Sequence, residues 1–386
     1  MVLRSFLLAL LLGMFVGYFS WGHSLSLTIL SLSLFLAYMI IDKRYLLFGF
    51  VWAYYLMASR GFLFGVESYY ENLIYAFLAW IGVATVSSLL WVLIWTRSFR
   101  RRLSLFPLLL IVMILPPFGF ISWVNPLPSI AVVLPGFGFL GLVLELIFIY
   151  LVAILWKKYD YARYYFMTLM SIIFISTLYY FPPKVKENLV IKSIQSDIEY
   201  FPMTFDKSRE YRTLKTFFYK VQNTQSLNIL LPENALGNYS SVQSMLWQEL
   251  DEDRTVFAGA TIYNARRSNN INALLEIDHN STKLLYKQRV PVLGEMWKPF
   301  RNKGTEATIF EQAIVKINGE KAGVFICYEQ LLVYPYLQTF FYKPNILIGI
   351  SNLYWAKGTN IKSIQKETME LWAILFGVPL SFSVNG

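Results

Sequence analysis

Cysteine and histidine are nearly absent from this 386-residue sequence, which has one cysteine, Cys327, and two histidines, His23 and His279. A single cysteine excludes an intrachain disulfide. Two histidines exclude a histidine-rich metal site and a proton relay built from several imidazoles. Charge is scarce as well, at 15% of residues, whereas soluble domains carry about 25%. With a mean hydropathy of +0.46, the composition excludes intrinsic disorder and favours a membrane protein.

The first half of the chain consists mostly of long apolar runs, and a helix needs about 20 such residues to cross the hydrocarbon core. We interpret the first run as a retained helix rather than a signal peptide, because no small-residue cleavage site follows it and further runs do. The sequence therefore predicts a seven-helix transmembrane domain over residues 1–181 and a second domain over residues 182–386. The predicted spans are residues 2–19, 24–41, 45–64, 72–95, 105–124, 139–156 and 164–181.

The Lys and Arg residues of the first half lie on alternate connections between these spans. They cluster at the amino terminus and after the second, fourth and sixth spans, around residues 42–44, 97–102 and 157–163. The positive-inside rule then places the amino terminus in the cytoplasm and, after seven spans, the second domain outside the membrane. This distribution accounts for much of the net charge of +10 without a nucleic-acid partner.

Two ionisable residues fall in or near predicted spans, Arg60 late in the third and Glu145 early in the sixth. Charges at such depth are costly and are often paired or functional. Two interpretations stay open. Either Arg60 extends to the membrane surface while Glu145 faces a wet cavity, or the two side chains form an ion pair.

Short β-rich runs alternate with polar helical stretches in the second half, which predicts an α/β domain. The pair Asn318-Gly319 between two such runs predicts a hairpin. Helices are expected at residues 207–223, 240–252, 329–341 and 360–376. The predicted strands are residues 189–194, 227–231, 255–263, 272–277, 313–317, 323–326 and 346–350.

Three reactive side chains follow predicted strands, where ligand sites of α/β sheets collect. Glu233 follows the run 227–231, Lys287 follows the strand ending near Ile277 after a short turn, and Cys327 follows the run 323–326. A thiol reacts as its thiolate. A glutamate can remove its proton, and a lysine can lower the thiol pKa and stabilise an oxyanion. The set is sufficient for acyl transfer through a thioester, although a lone cysteine is more often a buried apolar residue.

Three segments carry a resemblance to a known family: Leu231–Ala235, Tyr286–Glu295 and Cys327–Glu329, in that order behind the membrane spans. They resemble the signature segments of the nitrilase (carbon–nitrogen hydrolase) superfamily. The branch that they resemble is apolipoprotein N-acyltransferase, with conjugal-transfer proteins of the TraB type a close second. The resemblance implies an α-β-β-α sandwich without metal or cofactor.

The resemblance also implies roles for individual residues. Glu233 is expected to be the general base, Lys287 the oxyanion stabiliser and Cys327 the nucleophile. Three further residues are expected to support the site or bind substrate: Glu295, Tyr328 and Glu329.

The implied activity moves an acyl chain from a phospholipid, through a Cys327 thioester, to the amino-terminal amine of a lipoprotein. It is expected in a bacterial inner membrane, with the catalytic domain on the periplasmic side and in contact with membrane lipids. Two alternatives stay open: a conjugation protein with amidase or acyltransferase chemistry on an unknown substrate, and an inactive membrane scaffold.

The sequence departs from the N-acyltransferase pattern at two places. Gly237 stands where that branch usually has proline. The chain ends at Gly386, where the branch continues with more strands and a final membrane helix. Two interpretations of this ending stay open: either the α/β domain is shortened at its carboxyl end, or the sequence is a fragment.

Overall fold

The structure of the protein is a computed structural model that describes residues 2–159, 164, 168, 184–186, 188, 190–198, 207–264, 269–301, 303–311 and 313–386. It contains two compact units. The first comprises Met1–Val185, Leu332–Tyr334 and Gly358–Gly377, and the second comprises Lys186–Leu331, Pro335–Lys357 and Val378–Gly386. The predicted boundary at 181/182 stays a prediction, because the residues on both sides of it lie outside the described ranges.

The first unit is helical. The close approach of its first and third helices depends on small residues: a Cβ added at Gly13 would lie 2.1 Å from the carbonyl oxygen of Phe50. Small residues at such positions let two backbones pack directly. The helices are α1 (Val2–Ser20), α2 (Ser33–Ile40), α3 (Arg44–Ala58), α4 (Arg60–Tyr70), α5 (Leu73–Ile94), α6 (Phe99–Ile114), α7 (Gly138–Lys158) and, later in the chain, α11 (Ile361–Phe376).

Three helices, α1, α5 and α7, are long and apolar enough to cross a membrane, and α3 with α4 forms a fourth candidate that is bent by 52°. They correspond to the first, fourth, sixth and third predicted spans. The second predicted span differs, because residues 25–32 form a 3₁₀ helix before the short α2. The fifth differs because α6 stops at Ile114, ahead of two consecutive prolines that cannot continue a helix. The seventh, residues 164–181, lies outside the described residues apart from two isolated positions.

The proposed ion pair between Arg60 and Glu145 is not present. Arg60 donates to the carbonyl oxygens of Trp21 (3.2 Å) and Met57 (3.0 Å) and lies over the ring of Tyr18. The carboxyl of Glu145 is buried, and neither of its oxygens has a hydrogen-bond partner among the described residues. The pairing interpretation is therefore wrong, and Arg60 is held by backbone carbonyls instead.

The second unit contains two β-sheets. The predicted hairpin is confirmed: β6 and β7 are antiparallel, and Asn318 and Gly319 both have positive φ in the two-residue loop between them. The first sheet has the order β1-β2-β3-β4-β5 and the second the order β6-β7-β8-β9. The strands are β1 (Lys192–Ser193), β2 (Asn228–Leu230), β3 (Thr255–Asn264), β4 (Asn269–Ile277), β5 (Thr282–Lys287), β6 (Ile314–Ile317), β7 (Glu320–Ile326), β8 (Ile346–Asn352) and β9 (Leu380–Asn385).

Helices cover the outer faces of the two sheets. Leu214 and Phe217 of α8 (Lys207–Gln222) and Trp247 of α9 (Ser241–Trp247) join a core cluster with alternate residues of β3 and β4. On the other sheet, Tyr336 of α10 (Val333–Phe341) stacks on Phe325 with ring centroids 4.2 Å apart. A helical region with candidate membrane spans followed by an α-β-β-α sandwich is the predicted architecture, and the fold class is confirmed.

Candidate functional site

Glu233, Cys327 and Asn352 lie at the carboxyl ends of three strands. Glu233 follows β2 after two residues, Cys327 follows β7 directly, and Asn352 is the last residue of β8. β2 and β8 belong to different sheets. The backbone N–H of Asn352 nevertheless donates to Oε2 of Glu233 at 2.8 Å. The carboxyl ends of strands from both sheets therefore meet at one point, which is where α/β folds place ligand sites.

The Glu233 carboxyl is buried and is held by three donors. Nδ2 of Asn272 donates to Oε1 at 2.7 Å, the Asn352 N–H donates to Oε2, and the Cys327 thiol also forms a hydrogen bond with the carboxyl. Burial raises the pKa of Glu233 above its ordinary value, and the three hydrogen bonds oppose this shift. A carboxylate with a raised pKa and a thiol within hydrogen-bonding reach is suited to take the thiol proton.

The backbone of Cys327 adopts a left-handed conformation, with φ of +50°. A non-glycine residue in that region is strained, and such strain is concentrated at functional sites. The residue is 9% exposed, so its sulfur is nearly enclosed. The turn after β7 thus holds the Cys327 backbone in a conformation that ordinary core packing does not require.

Gly259 of β3 makes room for the Glu233 backbone. A Cβ at this position would lie 2.5 Å from Cα of Glu233 and 2.6 Å from N of Asn234. Contacts that short do not occur in folded proteins, so this strand position accepts only glycine unless the Glu233 turn moves.

Gln288 lies beside the Glu233–Cys327 pair. Its Oε1 accepts a hydrogen bond from Asn272 at 3.0 Å, and its Nε2 donates to the carbonyl oxygen of Ile326 at 2.9 Å. Asn272 is the residue that also donates to Glu233, and Ile326 is bonded directly to Cys327. Two buried amide side chains therefore connect the carboxyl to the strand end that carries the thiol.

Lys287 lies on the strand beside the one that carries Asn272, and its role as oxyanion stabiliser stays a prediction. It is the last residue of β5 and is paired in register with Ala273 of β4. Directly paired residues of antiparallel strands share a face, and Ala273 belongs to the core cluster beneath α8 and α9. The Lys287 side chain is partly exposed, with its Nζ 4.0 Å from the Glu311 carboxylate. The sequence analysis placed Lys287 after a short turn, whereas the structure places it at the end of a strand.

The Glu329 carboxylate lies in a buried network of hydrogen bonds. Its carboxylate accepts from the backbone N–H groups of Ile326 (2.9 Å), Val290 (3.0 Å) and Arg289, and from the hydroxyl of Tyr286. Its side chain and that of Arg289 are completely buried. This network holds the segment after β5 against the strand that ends at Cys327, and the role of Glu329 in the site stays a prediction.

The other two predicted supporting residues are Tyr328 and Glu295. Tyr328 follows Cys327 and is half-buried. Glu295 is half-buried in the turn after Gly294, where the Gly294 N–H donates to the Trp297 carbonyl at 2.9 Å. Their roles in the site stay predictions.

Asn385 holds Asn352 in place through a hydrogen bond between their side chains. Its Nδ2 donates to Oδ1 of Asn352 at 3.0 Å and to the carbonyl oxygen of Ile198, while its Oδ1 accepts from the Ser196 hydroxyl at 2.7 Å. The tail of the described chain is thus part of the support for Glu233, through the Asn352 backbone.

The Glu233–Cys327 pair is of a kind suited to acid–base and nucleophilic chemistry. Within the described ranges, no group of three or more His, Cys, Asp or Glu side chains is placed to hold a metal ion. Sequence reasoning missed Asn272 and Gln288. The signal for Gln288 is its place directly after the last residue of β5, a strand that the sequence analysis did not recognise.

Comparisons with known proteins give two kinds of similarity. The chain is 27% identical over 344 residues to a probable conjugal transfer protein TraB of Sinorhizobium fredii, covering 86% of each protein. It is 27% identical over 351 residues to the conjugal transfer protein TraB of Agrobacterium fabrum, covering 86% of this chain and 81% of that one. The resemblance to TraB-type proteins is thereby confirmed. No family model matches the chain.

Among solved structures, the chain is similar to members of the nitrilase superfamily. An amidase from Nesterenkonia aligns with a TM-score of 0.37 at 9% identity, over 50% of this chain and 75% of that one. A carbon–nitrogen hydrolase from Helicobacter pylori aligns with a TM-score of 0.35 at 13% identity, over 51% and 73%.

Proposed function

We propose that the protein is a membrane-bound acyl-transfer enzyme that uses Cys327 as its nucleophile and Glu233 as its general base. The observation that carries this proposal is the hydrogen bond between the Cys327 thiol and the buried Glu233 carboxyl, at a cysteine whose φ is +50°. A nucleophile within reach of a base, with the base oriented by further donors, is the arrangement that covalent catalysis requires.

Glu233 and Cys327 together account for every proton transfer and bond change in the proposed reaction. The thiol proton passes to Glu233 as sulfur bonds to the carbonyl carbon of an acyl ester. The ester carbon–oxygen bond then breaks, and the departing alcohol takes the proton from Glu233, which leaves a Cys327 thioester. An amine next attacks the thioester, its proton passes through Glu233 to the departing sulfur, and an amide is released. Each half uses Glu233 once as base and once as acid.

A phospholipid is the acyl donor that we propose. The second unit exposes large apolar side chains, among them Phe300, which is 99% exposed, Phe310, and Phe341 at the end of α10. Lys298 and Arg301 flank Phe300 in sequence. Exposed aromatics beside cations suit a lipid surface with anionic headgroups. The candidate spans of the first unit support a location in a membrane.

The amine that accepts the acyl chain distinguishes two possible biological roles. The similarity to TraB proteins over 86% of the chain favours a role in conjugal transfer, with an amine of a conjugation component as acceptor. The second role, supported by the three sequence segments, is acylation of a lipoprotein amino terminus. For both we propose the bacterial inner membrane, with the amino terminus in the cytoplasm and the second unit on the periplasmic side.

A transfer assay tests the proposal. The full-length protein in phospholipid nanodiscs is incubated with a diacylated lipopeptide whose amino terminus is free, and the acylated peptide is measured by mass spectrometry. Cys327→Ser and Glu233→Gln should abolish the product. In cells, the same variants are scored for conjugation frequency and for rescue of a lipoprotein N-acylation defect. No acylated product from the parent protein, together with full conjugation by Cys327→Ser, would assign the protein as an inactive scaffold.

A further inference from the structure

Three candidate membrane spans of the first unit have an end at the same place. α3 begins there, and α5 and α7 end there. A side-chain nitrogen of Arg44, the first residue of α3, donates to the carbonyl oxygen of Trp95, directly after α5, at 2.9 Å. Nε1 of Trp95 in turn donates to the carbonyl oxygen of Ile41 at 3.2 Å. Chain segments at the ends of membrane spans lie at the level of the lipid headgroups.

Asp42 ties α7 and α6 to this end of the unit. Its carboxylate accepts from Nζ of Lys157, in the last turn of α7, at 2.6 Å and from Nη2 of Arg102, in the first turn of α6, at 2.8 Å. The Arg102 side chain is completely buried, and its guanidinium lies over the ring of Trp95 at 5.4 Å. One carboxylate therefore connects the segment before α3 with α6 and α7.

Exposed cations surround this connection. Within the described residues, no carboxylate forms an ion pair with Arg97, Arg100 or Arg101. The first turn of α6 contains no acidic residue, so the positive end of the helix dipole adds to their charge. We call the exposed cations at this end of the unit the cation cluster; its members are Lys43, Arg44, Arg97, Arg100, Arg101 and Lys158.

Acidic residues that would neutralise the cation cluster lie far from it. Among residues 2–159 they are Glu67, Glu71 and Glu145, besides Asp42. Glu67 and Glu71 precede α5, which is about 33 Å long, and Glu145 lies about 20 Å before the end of α7 at 1.5 Å per residue. The cation cluster thus has a large uncompensated positive charge, which suits an anionic ligand.

Apolar side chains beside the cation cluster are exposed as well. Leu93, in the last turn of α5, is 73% exposed, and Leu155, in the last turn of α7, is 47% exposed. A soluble anion or a nucleic acid would contact the cations and leave these leucines in water. A phospholipid contacts both, with its phosphate at the cations and its acyl chains along the apolar helices.

We propose that the cation cluster is a binding site for a phospholipid with a net negative headgroup, and that the Asp42 contacts assemble this site. The phosphate lies among Arg97, Arg100 and Arg101, and the acyl chains follow the exposed faces of α5 and α7. The site belongs to the first unit alone. It is therefore independent of acyl transfer at Cys327.

Native mass spectrometry of the full-length protein in detergent tests this site. The protein is titrated with phosphatidylglycerol or with phosphatidylcholine of the same acyl chains, whose headgroup carries the same phosphate but no net charge. Each cation beside an anionic headgroup contributes on the order of fivefold in affinity. We expect phosphatidylglycerol to bind at least about 25-fold more tightly. Arg100→Gln combined with Arg101→Gln should remove most of that preference and leave phosphatidylcholine binding unchanged.

The matched control is Lys283→Gln combined with Lys316→Gln, which changes the net charge equally at two exposed lysines of the second unit. This control should keep the preference. Asp42→Ala should weaken phosphatidylglycerol binding although it makes the protein more positive, because α6 and α7 lose their common partner. Melting curves establish that each variant is folded.

Four outcomes overturn the proposal. The first is equal binding of the two lipids by the folded parent protein, and the second is an equal loss of preference in the control. The third is unchanged or tighter phosphatidylglycerol binding by folded Asp42→Ala, which would show that the Asp42 contacts do not assemble a site. The fourth is displacement of the lipid by glycerol phosphate or a DNA oligonucleotide at the same concentration, which would assign the cluster to a soluble anion or to nucleic acid.

Discussion

The backbone N–H of Asn352 donates to the carboxylate of Glu233 across 2.8 Å, and this bond joins two strands that belong to different sheets. Asn352 is itself held by Asn385 at the end of the next strand. The candidate base is therefore held by donors from both sheets of the sandwich, Asn272 from one and Asn352 from the other.

Replacement of Glu233 by glutamine should remove activity and leave the fold intact, because the shape of the side chain is kept. Loss of a general base costs about 10²–10⁴-fold in rate. In the parent enzyme the pKa of Glu233 is raised by burial, and the base must be ionised to act. The rate should therefore fall as the pH decreases through a value above the ordinary glutamate pKa of 4.5. A pH–rate profile measures the pH at which the rate falls. A fall that occurs only below pH 4.5 would contradict this prediction.

Gly259→Ala should impair catalysis more than stability. The new methyl group would lie 2.5 Å from Cα of Glu233, so the Glu233 turn must shift and the carboxyl moves away from the thiol. Displacements of about 1 Å at a catalytic group cost on the order of 10²-fold in rate. Gly82→Ala in α5 is the matched control, because nothing lies within 4 Å of a Cβ there. Equal effects of the two substitutions on activity would count against this account.

The buried Arg289–Glu329 network should dominate the stability of the second unit. Glu329→Gln leaves the guanidinium of Arg289 buried without its counter-charge, which typically costs about 3–5 kcal/mol. The matched control is Glu276→Gln, which breaks the contact at 3.2 Å with Lys283, a side chain that is 60% exposed; exposed pairs contribute about 0–1 kcal/mol. Denaturant unfolding of both variants measures the difference, and a Glu329→Gln cost as small as that of the control would refute the structural role.

Glu367 of α11 should make the first unit sensitive to pH. Burial raises its pKa to about 7, against the opposing effects of the Gly22 N–H, which donates to it at 2.9 Å, and of Arg60 and Lys366. The folded state therefore binds the proton more tightly than the unfolded chain. The stabilisation is full below the unfolded pKa of 4.5 and is lost as the pH rises through about 7. Each unit of pKa shift corresponds to 1.36 kcal/mol. The free energy of unfolding should therefore fall by about 3 kcal/mol as the pH rises across this interval.

A glutamine at position 367 stays neutral at every pH, so Glu367→Gln should flatten this dependence. The melting temperature of the parent protein should decline from pH 5 to pH 8, and that of the variant should not. Parallel declines in the two proteins would show that Glu367 does not titrate in this range.

Much of the fold was predictable because hydropathy and strand patterns are local. The α1, α5 and α7 spans, the hairpin at Asn318-Gly319 and the strands that precede Glu233 and Cys327 all follow from short runs of sequence. The second predicted span was not found as one continuous α-helix. Apolar composition does not distinguish an α-helix from the 3₁₀ helix at residues 25–32.

The support of Glu233 was not predictable, for a different reason. Asn272 donates to both Glu233 and Gln288, and β5, which ends directly before Gln288, was not recognised as a strand. Which of these side chains meet depends on the pairing of β4 with β5, which is tertiary information.

The most direct test of the central claim is the mass of the Cys327 peptide after the full-length protein is incubated with phospholipid in nanodiscs and quenched in acid. We predict an added acyl chain on Cys327 that hydroxylamine removes, present in the parent protein, absent in Cys327→Ser and strongly reduced in Glu233→Gln. A folded parent protein whose Cys327 peptide stays unmodified, with phospholipid in excess and the thiol accessible to iodoacetamide, would contradict the account.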